Sequence, residues 1–273
     1  MEKEKTINVS AIQMCAEIAN KKANFEKVKK IVNRDVSDDA DIIILPEVWN
    51  VGWSPKHFRE NAEEIQTSET IDFLSEIAKN KKSWVIGGSF ITEINGHYYN
   101  TCPVLNRHGE LIATYSKNHL FSYYGCDEGK YVEVGEYPVM VDIEGVKTGL
   151  TICYDIRFPE IYRAYRKAGA DLLVNCAAWG LKKPVPWECM TRCRAVENQA
   201  YMIALTQSGY IENDEWNIGH SRIIDYKGES LIEIKDQKEG AMNVILDFTP
   251  MYDFRKKCAC INDIRETYEV KRV

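Results

Sequence analysis

Short runs rich in β-branched residues alternate with longer amphipathic runs along most of this chain. Runs of the first kind predict strands, several of them continuous and therefore buried on both faces. The predicted strands are 7–13, 41–47, 84–90, 101–105, 111–116, 137–143, 146–154, 171–177, 200–207 and 242–248, and residues 91–99 are predicted to form a hairpin. Apolar residues three and four positions apart predict helices instead. The predicted helices are 20–36, with Asn20 as its N-terminal cap, and 60–81, 159–168, 187–199 and a last one from about 250.

Tight turns join several of these strands. Asn95–Gly96, Glu144–Gly145 and Lys227–Gly228 carry the residues that hairpin turns require. Helical and strand runs mix throughout, without an internal repeat or a Gly- and Pro-rich linker. The pattern therefore predicts one α/β domain in which helices cover mixed sheets. Residues 118–137 form a long stretch without a period, and a loop of that length is often functional.

Composition narrows the class of protein. The 273 residues are 45% hydrophobic and 28% charged, which is an ordinary globular balance, and the net charge of −6 gives no basic face for nucleic acid. The apolar runs are too short to cross a bilayer, and the first residues lack the apolar core of a secretory signal. We therefore expect a cytoplasmic protein that binds neither nucleic acid nor a membrane.

The nine cysteines are an odd number scattered through apparent strands and helices. In a reducing compartment this distribution argues against a disulfide framework. No C-x-x-C pair occurs, and no histidine lies at ligand spacing from the closest cysteine pairs. A structural metal is therefore not expected.

Three chemically capable side chains lie at or near the ends of predicted strands. Glu47 ends the run from Asp41, Lys117 follows the strand 111–116, and Cys153 lies near the end of the strand 146–154. Taken singly, each has an ordinary explanation as a solvated acid, a surface amine or an inert buried thiol. Rigid strand ends nevertheless are common places for sites, because they hold loop chemistry in register.

The sequence around these three residues resembles the nitrilase superfamily of carbon–nitrogen hydrolases. Leu-Pro-Glu at 45–47, Tyr-Ser-Lys-Asn-His-Leu-Phe at 115–121 and Cys-Tyr-Asp-Ile-Arg-Phe-Pro-Glu at 153–160 occur in the family's order. The resemblance continues through Asn175, 192–199 and 219–225, so it spans nearly the whole chain from residue 7 to about 248.

This resemblance implies a four-layer αββα sandwich with two mixed β-sheets. It implies that residues 1–249 form the carbon–nitrogen hydrolase domain and that 250–273 form a C-terminal helix and tail at a subunit interface. Members of the family usually pair through the helix layer, so a homodimer or a larger assembly is expected, with 187–199 and the tail from 250 at the contact. Neither a metal nor an organic cofactor is expected.

The family has a Glu–Lys–Cys catalytic set, which maps onto Glu47, Lys117 and Cys153. Glu47 would accept the thiol proton, and Cys153 would form a thioester. Lys117 and the backbone N–H of Tyr154 would stabilise the oxyanion. A second glutamate of the family precedes a glycine by seven positions, as Glu128 precedes Gly135. Glu128 would orient Lys117 or the substrate amine; a solvated loop acid is the alternative.

Two further residues are candidates for substrate binding. Arg157 has a guanidinium suited to a substrate carboxylate, but pairing with Glu160 or Asp155 as part of the scaffold is the favoured interpretation. Trp179 is either a wall of the pocket or plain core packing. His119 is expected to be a structural hydrogen-bonding residue, since the mechanism already has its base.

The residues after the cysteine favour amides over nitriles. Nitrilases of this superfamily usually have Cys-Trp-Glu, whereas Cys153-Tyr-Asp is found in amidases and carbamoylases. The flanking residues 157–160 and 194–199 most resemble the omega-amidase branch. The expected reaction is hydrolysis of a small linear amide, with or without a distal carboxylate, to an acid and ammonia.

Two other readings stay open at this point. One is hydrolysis of N-carbamoyl amines or N-carbamoyl amino acids. The other is an acyl transferase or a non-catalytic assembly module on the same fold. The acidic loop 210–217 either favours a cationic substrate or forms a solvated rim.

Overall fold

The computed structural model of the protein describes residues 5–123, 125–265 and 267–273. The first half contains β1 (Thr6–Gln13), α1 (Lys21–Asp35), β2 (Ile42–Ile44), β3 (Glu63–Glu64), α2 (Glu69–Lys81), β4 (Trp84–Ile86), β5 (Phe90–Ile94), β6 (His97–Leu105) and β7 (Leu111–Ser116). The second half contains β8 (Met140–Ile143), β9 (Val146–Ile152), α3 (Pro159–Lys167), β10 (Leu172–Ala177), α4 (Pro184–Asn198), β11 (Tyr201–Thr206), β12 (Ser221–Ile224), β13 (Ser230–Ile234), β14 (Gly240–Asp247) and α5 (Thr249–Lys257).

Within the described residues these strands form two mixed sheets. The first has eight strands in the order β14-β1-β2-β4-β6-β5-β3, with β7 paired to the other edge of β6. The second has six strands in the order β13-β12-β11-β10-β9-β8. In the first sheet β1, β2 and β4 run parallel, and in the second β9, β10 and β11 do. The strands that end near Glu47 and Lys117, β2 and β7, belong to the first sheet, and the strand that ends before Cys153, β9, belongs to the second.

The isoleucine run of β2 explains how the layers stack. Ile42 and Ile44 point into the large apolar core that also contains residues of β9, β10 and β11, whereas Ile43 points to the opposite face. On that face α1 and α2 cover the first sheet, with Val28 and Leu74 among the buried residues. Because successive side chains of a strand alternate between faces, a strand buried on both faces must be apolar throughout.

Helices α3 and α4 cover the second sheet in the same way, through a set of buried apolar and aromatic residues that includes Ile161, Tyr162, Trp187 and Ala195. The order of layers is therefore helix, sheet, sheet, helix. The predicted αββα sandwich with two mixed sheets is confirmed.

Helix α1 begins where the sequence predicts. The Oδ1 atom of Asn20 accepts a hydrogen bond from the N–H of Ala23 at 3.2 Å, which satisfies one of the otherwise free N–H groups of the first turn. The turn at Asn95–Gly96 is also as predicted, because both residues have positive φ angles, of 54° and 82°. That conformation is the one that a two-residue hairpin turn between β5 and β6 requires.

The prediction of a helix over 60–81 is wrong in its first part, because α2 begins only at Glu69. Ser68 caps this helix by accepting a hydrogen bond from the N–H of Ile71 at 3.0 Å. The buried Glu63 carboxylate accepts hydrogen bonds from the Ser68 hydroxyl at 2.7 Å and from the Thr70 N–H at 2.9 Å. These contacts fix the start of the helix, and the preceding residues form short 3₁₀ turns instead.

The C-terminal helix α5 is attached to the second sheet. Arg255 forms an ion pair with Asp171 at 2.6 Å, and the Tyr252 hydroxyl donates to the same carboxylate at 2.9 Å. The predicted division of the chain near residue 249 stays a prediction. Among the helices of the described ranges, none has both the length and the apolar character needed to cross a membrane.

Candidate active site

Four of the predicted residues meet between the sheets. Glu47 lies three residues beyond β2, Lys117 directly follows β7, and Cys153 directly follows β9. Glu128 lies in the long loop after Lys117, within a single 3₁₀ turn. The side chains of Glu47, Lys117 and Glu128 are fully buried, and Cys153 is 6% exposed. Glu128 is therefore not a solvated loop acid, which was the alternative interpretation of this residue.

Lys117 joins the two carboxylates. Its Nζ donates to Oε1 of Glu47 at 2.8 Å and to both carboxylate oxygens of Glu128 at 3.0 and 2.9 Å. The ring of Trp53 lies 5.0 Å from the same ammonium group. These contacts use the three donors of the ammonium and hold it at one point.

The charged groups of this cluster shift one another's pKa values. Burial alone would lower the pKa of Lys117, but the carboxylates of Glu128 and Glu47 outweigh burial and hold that pKa well above its usual value. Burial also raises the pKa of Glu128, with Glu47 adding to the shift and Lys117 opposing it. The cluster therefore has a cation that stays protonated near neutral pH and a carboxyl group that accepts a proton more readily than a solvated one.

Two contacts of Glu47 are not marked by any motif in the sequence. Asn100 on β6 donates from Nδ2 to Oε1 of Glu47 at 2.9 Å and to Oε1 of Glu128 at 3.2 Å. The backbone N–H of Ala178, just after β10, donates to Oε2 of Glu47 at 2.8 Å. Glu47 is thus held from the first sheet and from the second. The sequence does not predict either donor, because Asn100 and Ala178 reach Glu47 only through the packing of the sheets.

The Cys153 sulfur is displayed by a sharp turn. Cys153 has a φ of 45°, in the left-handed region that L residues rarely adopt, so the chain turns away directly after β9. Oδ2 of Asp155 accepts from the N–H of Ile152 at 2.9 Å, and Nδ2 of Asn175 donates to the carbonyl of Cys153 at 3.4 Å. Burial raises the pKa of the Cys153 thiol well above its usual value, and the Glu47 carboxylate adds to this shift, so the resting group is a thiol.

Asp155 connects this turn to the segment of Lys117. Its carboxylate accepts hydrogen bonds from the Tyr115 hydroxyl at 2.7 Å and the His119 N–H at 3.0 Å, and it contacts Nδ1 of His119 at 2.8 Å. The His119 ring stacks on Phe158 with centroids 3.7 Å apart. His119 therefore has the structural, hydrogen-bonding environment that the sequence analysis expected.

Cys153 opens onto a cavity of about 580 Å³. Aromatic residues supply much of its wall, and Trp179 is one of them, next to Trp53, Phe121 and Tyr123. The ring of Tyr154 packs edge-on against Phe121, with centroids 5.6 Å apart. The size and the apolar lining are those of a small-molecule site.

Arg157 lies against rings and not against an acid. Its guanidinium carbon is 5.8 Å from the ring centroid of Tyr154 and 5.3 Å from that of Trp179. In the part of the chain that the structure describes, no ion pair joins it to Glu160 or Asp155, and its buried Nε atom has no hydrogen-bond partner. The predicted scaffold pairing is therefore absent, and a role in binding substrate stays a prediction.

The acidic loop 210–217 forms part of the cavity rim, and two of its acids are matched by cations. Glu212 accepts from the Ser54 hydroxyl at 2.8 Å and pairs with Lys56 at 2.7 Å, and Glu215 pairs with Lys182 at 2.6 Å. These pairs argue against the loop as a binding surface for a cationic substrate. Across the described ranges, no group of three or more His, Cys, Asp or Glu side chains is arranged to hold a metal ion.

Comparisons with known proteins identify the family. The carbon-nitrogen hydrolase family model matches residues 8–256. A 2-oxoglutaramate amidase of Paenarthrobacter nicotinovorans is 36% identical over 83% of this chain and 79% of its own, and one of Bacillus subtilis is 31% identical over 94% and 97%. The crystal structure of Saccharomyces cerevisiae Nit3, a member of branch 10 of the nitrilase superfamily, is similar with a TM-score of 0.84 at 27% identity, over 93% of this chain and 94% of that chain. This chain belongs to the carbon–nitrogen hydrolase family.

Proposed function

We propose that this protein hydrolyses a small linear amide to an acid and ammonia through a thioester on Cys153. The observation that carries the proposal is the meeting of Cys153, Glu47, Lys117 and Glu128 at one buried point beside a cavity. The combination of a thiol, a proton acceptor and a fixed positive charge is what acyl transfer from an amide needs.

The first half of the reaction forms the thioester. Glu47 takes the proton of the Cys153 thiol as the sulfur attacks the amide carbonyl, so the thiolate never accumulates in this buried place. The C=O electrons move onto oxygen, where Lys117 supplies positive charge and the backbone N–H of Tyr154 supplies a donor. One such donor is worth roughly 3–4 kcal/mol in the transition state.

The second half releases both products. The oxyanion collapses, the C–N bond breaks, and Glu47 passes its proton to the leaving nitrogen, so ammonia departs. Glu47 then accepts a proton from water as that water attacks the thioester, and the proton returns to the Cys153 sulfur when the acid leaves. Glu128 acts on Lys117, whose ammonium it holds in place with both carboxylate oxygens.

The relatives favour the omega-amidase branch. Both bacterial relatives described above are named 2-oxoglutaramate amidases. A relative from Arabidopsis thaliana, which is 36% identical over 78% of this chain and 60% of its own, is named a chloroplastic omega-amidase. By analogy, the substrate proposed here is a short linear amide with a carboxylate at its far end. In this binding mode Trp179 is a wall of the pocket and Arg157 contributes positive charge near it.

We also propose a homodimer in the cytoplasm. Helix α4 leaves Val185 and Val196 exposed on its outer face, and exposed apolar side chains of this kind can pack against a second copy. The segment from 250 onward is the second candidate for this contact. All nine cysteines are unpaired, as is usual in a reducing compartment. Light scattering of the purified protein tests the assembly.

The decisive experiment is intact-protein mass spectrometry after brief exposure to a panel of linear amides. An acyl adduct on Cys153, together with ammonia release, is the expected result. The matched control is Cys126→Ala, because Cys126 also lines the cavity. This variant should still form the acyl adduct on Cys153 and release ammonia. Full ammonia release by a Cys153→Ala variant would exclude the mechanism.

Two further measurements divide the alternatives. A ratio of ammonia to free acid that stays at one when amine acceptors are added supports hydrolysis, whereas acyl-amine products would indicate an acyl transferase. For Glu128, a Glu128→Gln variant is expected to turn over more slowly, because Lys117 loses a charged partner. An unchanged rate would show that Glu128 has no part in the reaction.

A further inference from the structure

The cavity wall also contains a lysine that the mechanism does not use. Lys183 lies in the loop between β10 and α4 and shares the cavity with Cys153. Its Nζ is 4.5 Å from the ring centroid of Phe121 and 5.9 Å from that of Trp179. Aromatic faces attract an ammonium group and restrict where it can lie, so this charge is held at the cavity wall.

The backbone of Lys183 is fixed as well. Its carbonyl accepts a hydrogen bond from the Trp179 indole at 2.8 Å, and its N–H donates to the carbonyl of Gly180 at 3.1 Å. Pro184 follows as the first residue of α4. A side chain that starts from such a pinned turn loses little conformational entropy when it binds a ligand.

The charge of this wall favours an anion. Lys56 is matched by Glu212 and Lys182 by Glu215, as described above. Lys183 brings a further ammonium group to the cavity that it shares with Cys153. The Lys183 side chain is half-buried, and this burial lowers the pKa of its ammonium group; a bound carboxylate would replace the lost hydration.

We propose that Lys183 binds the distal carboxylate of the substrate and thereby sets the preference for linear amides that carry an acid at the far end. The proposal rests on the function proposed above, which supplies the reacting end of the same molecule at Cys153. It adds a specificity-determining residue outside the Glu–Lys–Cys set and outside the motifs of the sequence.

The test compares two amides with the same carbon chain. One is the monoamide of glutaric acid, and the other is pentanamide, which has a methyl group in place of the carboxylate. The wild type should prefer the first. The Lys183→Met variant, which keeps the length of the side chain, should lose roughly 10- to 100-fold in kcat/KM on the first amide and less than about twofold on the second.

Two variants serve as matched controls. Lys183→Arg keeps the charge and should retain most of the preference. Lys182→Met removes the same charge from the neighbouring position, where the side chain is 72% exposed and paired with Glu215, and should leave the ratio of the two kcat/KM values as in the wild type. Equal losses on both amides in Lys183→Met, or no loss on the anionic one, would overturn the proposal.

Binding separates this proposal from the proposed reaction. Isotherms for the two amides are measured in a Cys153→Ala background, with and without Lys183→Met. If Lys183→Met weakens the binding of the anionic amide but not that of pentanamide, the result supports the role of Lys183, whatever the rate of turnover. If the wild type instead releases ammonia and forms a Cys153 adduct but Lys183→Met leaves the binding of both amides unchanged, the inference fails and the proposed function stands.

Discussion

Replacing Lys117 with methionine tests the electrostatics at the centre of the molecule. Methionine fills a similar volume, so the main effect is the removal of one buried positive charge between Glu47 and Glu128. The two carboxylates, which share Asn100 as a donor, then face each other in a place without solvent. Like charges at this separation cannot both persist, so one carboxylate is expected to take up a proton.

The size of the penalty follows from that proton. A glutamic acid in the unfolded chain has a pKa of about 4.5. Keeping one of the two buried carboxyl groups protonated at pH 7 should therefore lower the free energy of unfolding by about 3.4 kcal/mol, at about 1.4 kcal/mol per pH unit. Removal of one partner from a buried ion pair typically costs 3–5 kcal/mol, which is the same size. Because the folded variant binds one proton more than its unfolded chain, the penalty should shrink as pH falls, to about 1.4 kcal/mol at pH 5.5.

Urea unfolding at several pH values between 5.5 and 7.5 measures the difference in free energy of unfolding between wild type and variant. Lys56→Met is the control, because its exposed pair with Glu212 should contribute less than about 1 kcal/mol and no pH slope in this range. The double variant Lys117→Met/Glu128→Gln should regain most of the stability without regaining hydrolysis. A difference that is flat with pH would refute the reasoning, since it would mean that the two carboxyl groups do not carry two charges in the folded wild type.

Two more predictions concern the frame around the site. A Cβ at Gly135 would lie 2.1 Å from the carbonyl oxygen of Ser116, so Gly135→Ala should shift the backbone before Lys117 and lower kcat/KM about 100-fold. The control is Gly129→Ala in the same loop, where a Cβ would have no contact under 3.4 Å and kcat/KM should change little. Equal kcat/KM values for the two variants would contradict this prediction. Burial alone raises the pKa of Glu63, but hydrogen bonds from Lys21, Thr70 and Ser68 outweigh it and hold the pKa below its usual value. The stability that Glu63 contributes should be present above about pH 4.5 and be lost as pH falls further. In urea unfolding, Glu63→Gln should therefore have a lower free energy of unfolding than the wild type at neutral pH, and this difference should become smaller in acid. A difference that does not change with pH would contradict this prediction.

The local order of the chain was readable from sequence. The N-cap at Asn20 and the hairpin turn at Asn95–Gly96 depend on a few neighbouring residues, and both were predicted correctly. The helix over 60–81 was predicted with the wrong start, because the buried Glu63 carboxylate decides it through side-chain contacts that periodicity does not contain. The seven-residue spacing of Glu128 and Gly135 is present in the sequence, but the close approach of Gly135 to Ser116 is visible only in three dimensions.

Residue types and their order along the chain were enough to predict the strand and helix pattern, the family resemblance and the candidates Glu47, Lys117 and Cys153. Two other features became visible only in the folded molecule: Asn100 shares its amide between two carboxylates, and Lys183 lies in the cavity of Cys153. The reason is physical: hydrogen bonds, burial and ion pairing depend on distances across the packed layers, and residues that are far apart in sequence acquire those distances only when the sandwich closes.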